Sequence, residues 1–376
     1  MPKLTLFPLG NADCCRIDLD GGEKILLDCA ATLDVSDDTD KRCDLHQELR
    51  DDLKAANRNY FDVVAFTHLD RDHFARSTEF FYLEHAKKYQ GDGRIKMNVM
   101  WVPAAMITED APDDEEARVL QREARHRFKQ GAGIRVFSRP ERLRKWCEQN
   151  GIKLEDRCGL ITDAGKLVHE FSIEKHGVEF FVHSPFAVRQ DANTVEDRNG
   201  DAIIVQATFK VDGVETKALL MADADHEVLA DIVRVTKSKG NQARLEWDIA
   251  KLPHHCSYLS LGPDKGVDKT VPVAEVTWLY EVQGRAGAII VSTSKPIPVK
   301  GSKEDDDVQP PHRQAANYYR PVLAASDGEF VVTMEHPKVS APKPVVIEIG
   351  SRGATLKVAA TTAAYVVTSR PAPRAG

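Results

Sequence analysis

Within the run Thr67 to His73, the residues His68, Asp70, Asp72 and His73 place four potential metal ligands inside six positions. The run directly follows an apolar stretch, 61–66, that is short and β-branched in its middle and so reads as a buried strand. Imidazoles and carboxylates crowded at a strand end are costly to fold unless they bind something. A divalent cation is the usual solution, because zinc takes His nitrogen together with Asp oxygen. Such a cation brings the proton loss of a bound water near to neutral pH and so yields a hydroxide nucleophile; a pair of them roughly 3.5–4 Å apart holds both oxygens of a displacement at phosphorus. The plain alternative is a polar surface loop with two unrelated histidines.

The spacing resembles a known signature. His-x-His-x-Asp-His marks the metallo-β-lactamase fold, and this chain reads His68-x-Asp70-x-Asp72-His73, with Asp70 where the second His is usual. That departure is similar to one branch, the metallohydrolase domains of competence-type DNA-internalisation (ComEC-like) proteins. Further marks follow in the order of that branch. Leu4 to Phe7, then Gly10, Asp13 and Ile17, resemble its opening strand, glycine turn and second strand; Ile25 to Leu27 then run into Asp28. Leu219, Leu220 and Met221 lead to Ala222-Asp223, with Ala222 where Gly is usual. Lys251, Pro253, His254, His255 and Ser257 resemble a Lys-x-Pro-His-His-Gly-Ser element, with Cys256 in the Gly place.

The resemblance implies an α/β protein, a metallo-β-lactamase-like αββα sandwich with a helical insertion. It also implies a hydrolase carrying Zn2+ or Mn2+, one or two ions per chain. His68 and Asp70 would hold the first ion with Asn199 or His183. Asp72, His73 and His255 would hold the second, and Asp223 would bridge. Asp13 and Asp28 are expected to organise the site. Asp72 and His254 are expected to serve the reaction itself, His254 as a contact to phosphate or leaving group; the reverse assignment of His254 and His255 stays open. Asp70 in place of His makes the first half harder and more tolerant of manganese. Arg71 and Lys251 would offset substrate charge, or are simply solvent-facing loop cations. Cys256 is either a soft ligand or a small buried hydrophobe. His312 is a candidate substrate contact, with a surface histidine as the plainer reading.

Composition bounds these expectations. The 376 residues are 42% hydrophobic with a formal charge of −7, which suits a globular protein with a sizeable core. No apolar run approaches the roughly twenty residues of a membrane span, and no secretory leader is evident, so the expectation is a cytoplasmic protein with no membrane partner. Seven cysteines without paired spacing fit a reducing compartment. No overall basic footprint for long nucleic acid is visible. The Arg- and Lys-rich stretch 118–145 is interleaved with acids and reads as a solvated helix face.

Along the chain, 1–335 reads as the hydrolase domain, with 104–180 as a helical insertion and lid. Residues 336–376 read as a β-rich extension with a disordered tail. Helices are expected at 44–57, 77–89, 112–129, 140–149 and 226–239, a hairpin around Asp212-Gly213, and a loop at 295–311. Three functions are then in play. A phosphodiesterase on nucleic acid or a small phosphoester leads; a lactonase- or thioesterase-type hydrolase uses the same site on a carbonyl. An accessory or sensor subunit of a multi-protein system, with accessory proteins or a second copy as partner, would suit a chain altered at Ala222 and Cys256. Turnover of phosphodiester against ester separates the first two, and bound metal separates both from the third.

Overall fold

The computed structural model describes residues 1–192 and 198–357. The tail expected to be disordered, 369–374, lies outside the described residues. The chain opens with β1 (Lys3–Leu6), β2 (Cys15–Asp18), β3 (Lys24–Leu27), β4 (Tyr60–Ala65), β5 (Lys96–Pro103), β6 (Ile134–Phe137) and β7 (Ile161–Thr162). A second set follows: β8 (Val178–Ser184), β9 (Ile204–Val211), β10 (Val214–Leu220), β11 (Trp247–Lys251), β12 (Gly284–Ser292) and β13 (Glu329–Val332). Finally β14 (Val345–Gly350) and β15 (Gly353–Leu356) return to the first set, β14 pairing antiparallel with β1.

The result is a nine-stranded sheet in the order β15-β14-β1-β2-β3-β4-β5-β6-β7 and a six-stranded sheet in the order β13-β12-β11-β10-β9-β8. Period-two alternation assigns the faces. Ile25, Leu27, Val63, Ala65 and Trp101 point into a core shared with Phe180, Ala218, Ile249 and Ile289 of the second sheet. The alternate residues Leu26, Val64, Met100 and Val102 face helices Leu45–Ala55, Glu115–Gln130 and Glu141–Gln149. On the far side, Leu219, Ala250 and Ile290 pack on helices His226–Ser238, Ala274–Glu281 and Arg313–Ala324. Strands apolar on both faces fit the inner position each sheet takes. The layering is αββα, as expected.

The helix of 44–57 forms as Leu45–Ala55, capped by the Asp44 carboxylate on the Gln47 N–H. The hairpin turns at Asp212-Gly213 between β9 and β10. Two local readings need correction. The segment 77–89 is helical over Ser77–Phe80 and again in a single 3-10 turn at Lys87–Tyr89; between them Phe81 turns extended and bridges Ile95. Phe80, Phe81 and Leu83 are all fully buried, so the segment packs into the core without a continuous helix. The stretch 104–180 is also more than helical, since it adds β6 and β7 to the first sheet.

Parallel strands β3 and β4 in one sheet, and β10, β11 and β12 in the other, end at the same rim. Loops beyond carboxyl ends of parallel strands are where open α/β sheets build sites. Among the described residues, no helix is long and apolar enough to cross a membrane.

Candidate metal centre

The loop after β4 is docked by backbone bonds. The Asp13 N–H donates to the Asp72 carbonyl (2.9 Å), and the Cys29 N–H donates to the His73 carbonyl (2.9 Å). Asp28, in the left-handed region at φ 59°, accepts from the Thr67 N–H (2.8 Å) and the Thr67 hydroxyl (2.7 Å). Asp28 also lies 2.8 Å from His73 Nδ1. That carboxylate fixes the His73 tautomer: Nδ1–H donates to it, and Nε2 is left as a lone pair.

The other two histidines follow the same logic. His255 Nδ1 donates to the Thr293 carbonyl at 2.7 Å, which presents its Nε2 to the site. His68 Nδ1 stands 3.1 Å from the Thr67 hydroxyl, whose proton already goes to Asp28. The hydroxyl therefore accepts from His68, and its Nε2 is free as well. Each imidazole thus spends Nδ1 outward and turns Nε2 inward, the arrangement metal-binding histidines adopt.

Those nitrogens meet carboxylates. Asp223, beyond the end of β10, lies 3.3 Å from His73 Nε2 and 3.6 Å from His255 Nε2. Asp72 Oδ2 is 3.1 Å from His255 Nε2, and Asp70 Oδ2 is 3.6 Å from His68 Nε2. Asp13, His73, Asp223 and His255 each offer one ligand atom, all within 4.8 Å of one another. Among the described residues, His68 Nε2, His73 Nε2, Asp13 Oδ1 and Asn199 Oδ1 are buried with no hydrogen-bond partner. Buried polar atoms are rarely left so. Nε2 and carboxylate oxygens converging without hydrogen bonds are what a shared cation would satisfy, and the donor set of imidazole and carboxylate suits zinc or manganese.

Electrostatics point the same way. Burial opposes charge on His73, yet Asp223 and Asp28 hold its pKa well above the usual value. His255 is likewise raised against burial, by Asp223 and its bond to Asp72, to about 9. Asp223 is held well below the usual carboxylate range against burial, chiefly by His73 and His255. His68 is lowered by burial and by the neighbouring His73. The carboxylates here favour a positive charge at the histidine nitrogens, whether proton or metal.

The structure relocates several expected residues. Lys251 does not face a substrate: it is 6% exposed and ion-paired to Asp13, with a second bond to the Met221 carbonyl at 2.8 Å. Arg71 is the opposite, with its side chain 65% exposed and paired to Asp114 at 2.8 Å. His183 is set apart from the cluster; its Nε2 bonds the Arg244 carbonyl at 2.8 Å and its ring stacks edge-on with Phe181. His312 is not a surface residue. It is 2% exposed, receives the Tyr258 N–H at Nδ1 and bonds the Val308 carbonyl, pinning the loop after β11. Asp225 caps helix His226–Ser238, and its carboxylate accepts from the Glu227 and Val228 N–H groups. His254, partly exposed, gives its backbone N–H to Asp223 and turns its ring nearly perpendicular to His255.

His254, His255 and Cys256 all sit at positive φ (47°, 51° and 65°), a run that the glycine usual at the third position would ease. Cys256 is fully buried in the second helical layer, and burial pushes its thiol up to about 12. It behaves as a small hydrophobe. Two residues that local patterns did not point to also border the centre. Arg198 binds Asp70 from one side, and Glu109 holds Arg198 in turn.

His183 gives a pH signature distinct from the centre. Burial, with no compensating carboxylate, lowers it to about 4. The unfolded chain therefore takes a proton near pH 6.5 that the folded chain refuses until about pH 4. His183 should cost on the order of 3 kcal/mol of stability as pH falls through that window, and nothing above it. Urea unfolding of wild type and His183→Gln between pH 7 and pH 4 should show the gap closing, or reversing, toward low pH. A pH-independent difference would refute the assignment.

No protein-family profile matches the sequence, and neither does any curated protein sequence. Among solved structures, the chain is similar to a diphosphatase of the PhnP family, at 11% identity and TM-score 0.34, over 93% of this chain and 98% of that one. It is similar to unliganded yeast PDE1 at 10% identity and TM-score 0.41, over 88% and 98%. A long-form RNase Z from yeast aligns at 10% identity and TM-score 0.30, over 86% of this chain and 44% of the other.

Proposed function

We propose that this chain is a metal-dependent hydrolase of phosphodiester bonds, in nucleic acid or a small phosphoester. The observation that carries the metal half is the convergence of three Nε2 atoms, each with Nδ1 already engaged, on buried Asp223 and its neighbours. In this reading His68 and Asp70, with Asn199 as a neutral oxygen donor, hold one ion. Asp72, His73 and His255 hold the other, and Asp223 serves both. When bound, the metal supplies Lewis acidity and a nucleophile available near neutral pH.

The chain's own residues supply the rest. Asp28 and the Thr293 carbonyl hold His73 and His255 in the ligating tautomer. Asp13 and Lys251 form a neutral buried pair beneath them, which keeps the floor of the site from adding charge. His254, beside the cluster and partly exposed, would contact the phosphate or the leaving group of a substrate. The phosphodiester half rests on the motif resemblance: a hard, carboxylate-rich donor set fits ions that also bind phosphoryl oxygens.

The purified chain, loaded with Mn2+ or Zn2+, should hydrolyse bis(p-nitrophenyl) phosphate or single-stranded DNA. Asp72→Ala and His73→Ala should each reduce that turnover by at least about a hundredfold, the scale of several kcal/mol of lost charge stabilisation. No turnover with either metal, or turnover indifferent to both substitutions, would sink the proposal. Faster turnover of an ester than of the phosphodiester would shift the reading to a carbonyl substrate.

A further inference from the structure

Asp70 is the residue by which the metal loop departs from its general pattern, and unlike the buried His68 and His73 it is partly open, its side chain 39% exposed. A carboxylate there brings a charge and a freedom of rotation that a packed imidazole lacks. Arg198 answers both. Its Nη1 lies 3.2 Å from Asp70 Oδ1, while Asp70 Oδ2 faces His68 Nε2 at 3.6 Å. One oxygen is thus held by a guanidinium, and the other is turned toward the histidine with which it would share an ion.

The arginine is itself fixed from behind. Its Nε bonds Glu109 Oε1 at 3.1 Å, and Nη2 bonds the same carboxylate. Glu109 is 6% exposed, so its charge needs a partner, and Arg198 provides one. The Glu109 backbone is anchored in turn: its carbonyl accepts from Gln121 Nε2 (3.0 Å) and Arg125 Nη2 (2.8 Å) of helix Glu115–Gln130. The same region grips the loop twice more, through Asp114 on Arg71 and through Glu116 on the Arg76 N–H and the Thr78 hydroxyl. The stretch read as a lid is, at 109–116, a brace.

The geometry assigns to Arg198, held by Glu109, the positioning of Asp70 for the first metal ion. This rests on the two-ion reading above. Arg198 is a positioning residue: it acts through Asp70, whose carboxylate it holds while Glu109 holds it from behind. Partners that orient metal ligands typically account for 10–100-fold of metal affinity.

The test is calorimetric titration of the metal-stripped full chain with Mn2+. Wild type should bind two ions in distinguishable steps. Arg198→Ala should weaken the looser step about 10–100-fold and leave the tighter step unchanged. Arg198→Lys, which keeps the charge but not the fork, should recover part of the loss; Glu109→Gln should weaken the same step to a smaller extent. Asp70→Ala should abolish that step and make Arg198→Ala silent. A looser step unchanged or tightened in Arg198→Ala overturns the inference while the two-ion reading stands. Fewer than two ions in wild type overturns both. Two ions with the expected variant effects but no phosphodiester turnover would leave this inference standing and remove the proposed substrate.

Discussion

Lys251→Met should cost about 3–5 kcal/mol of folding stability, the scale of breaking a buried ion pair from one side. Lys251 and Asp13 are 6% and 1% exposed, and they come from distant parts of the chain, from β11 and from the turn before β2. Methionine fills the space of the lysine stem but leaves the Asp13 carboxylate without its cation in a dry site. Burial raises the Asp13 pKa, and Lys251 together with His255 and His73 outweighs it, so the acid is held below its usual value. Removing the lysine leaves burial and the neighbouring Asp223 to act against that charge. Urea unfolding of the metal-free protein measures the loss. Adding Asp13→Asn should restore most of it, because the pair is coupled. A loss under about 1 kcal/mol, the value of an exposed pair, would show that the site floor is wet.

Asp223→Ala should lower phosphodiester turnover about a thousandfold or more, since several kcal/mol of charge stabilisation at 1.36 kcal/mol per decade reaches that figure. Asp223 is the carboxylate that stands between His73 Nε2 and His255 Nε2, 3% exposed, with the His254 N–H on its Oδ1. Its neighbours do not stand between the same two nitrogens: Asp13 gives one oxygen to Lys251, and Asp72 is on the His255 side. Asp223→Asn, which keeps the shape and removes the charge, should fall nearly as far. Michaelis–Menten analysis should show the loss chiefly in kcat. Activity within tenfold of wild type would remove Asp223 from the centre of the account.

What could be read in advance was local. The strand at β4 is a six-residue apolar run, and its ligands follow within one loop. Asp223 and His255 lie three and four residues beyond the apolar strands β10 and β11, and it was their place in the resembled motif order, not strand pattern alone, that singled them out. What could not be read depends on partners far apart in sequence. Arg198 meets Asp70 across 128 residues and Glu109 across 89, and Lys251 meets Asp13 across 238. No periodicity reports such pairs, so Lys251 looked like a free cation and nothing marked Arg198. His312 misled for a related reason: it packs on Tyr258 and receives the Tyr258 N–H, 54 residues away in sequence. β6 was hidden because four residues, Ile134–Phe137, between glycines and a proline carry too little pattern to separate from a connection.

The central claim is that this cluster holds metal, and X-ray data collected at the zinc or manganese absorption edge from crystals of the metal-loaded chain test it most directly. The account predicts an anomalous peak at roughly 2.0–2.2 Å from His73 Nε2, His255 Nε2 and an Asp223 oxygen, with a second beside His68 Nε2 and Asp70. No peak at these residues, or peaks confined to surface carboxylates, would contradict it.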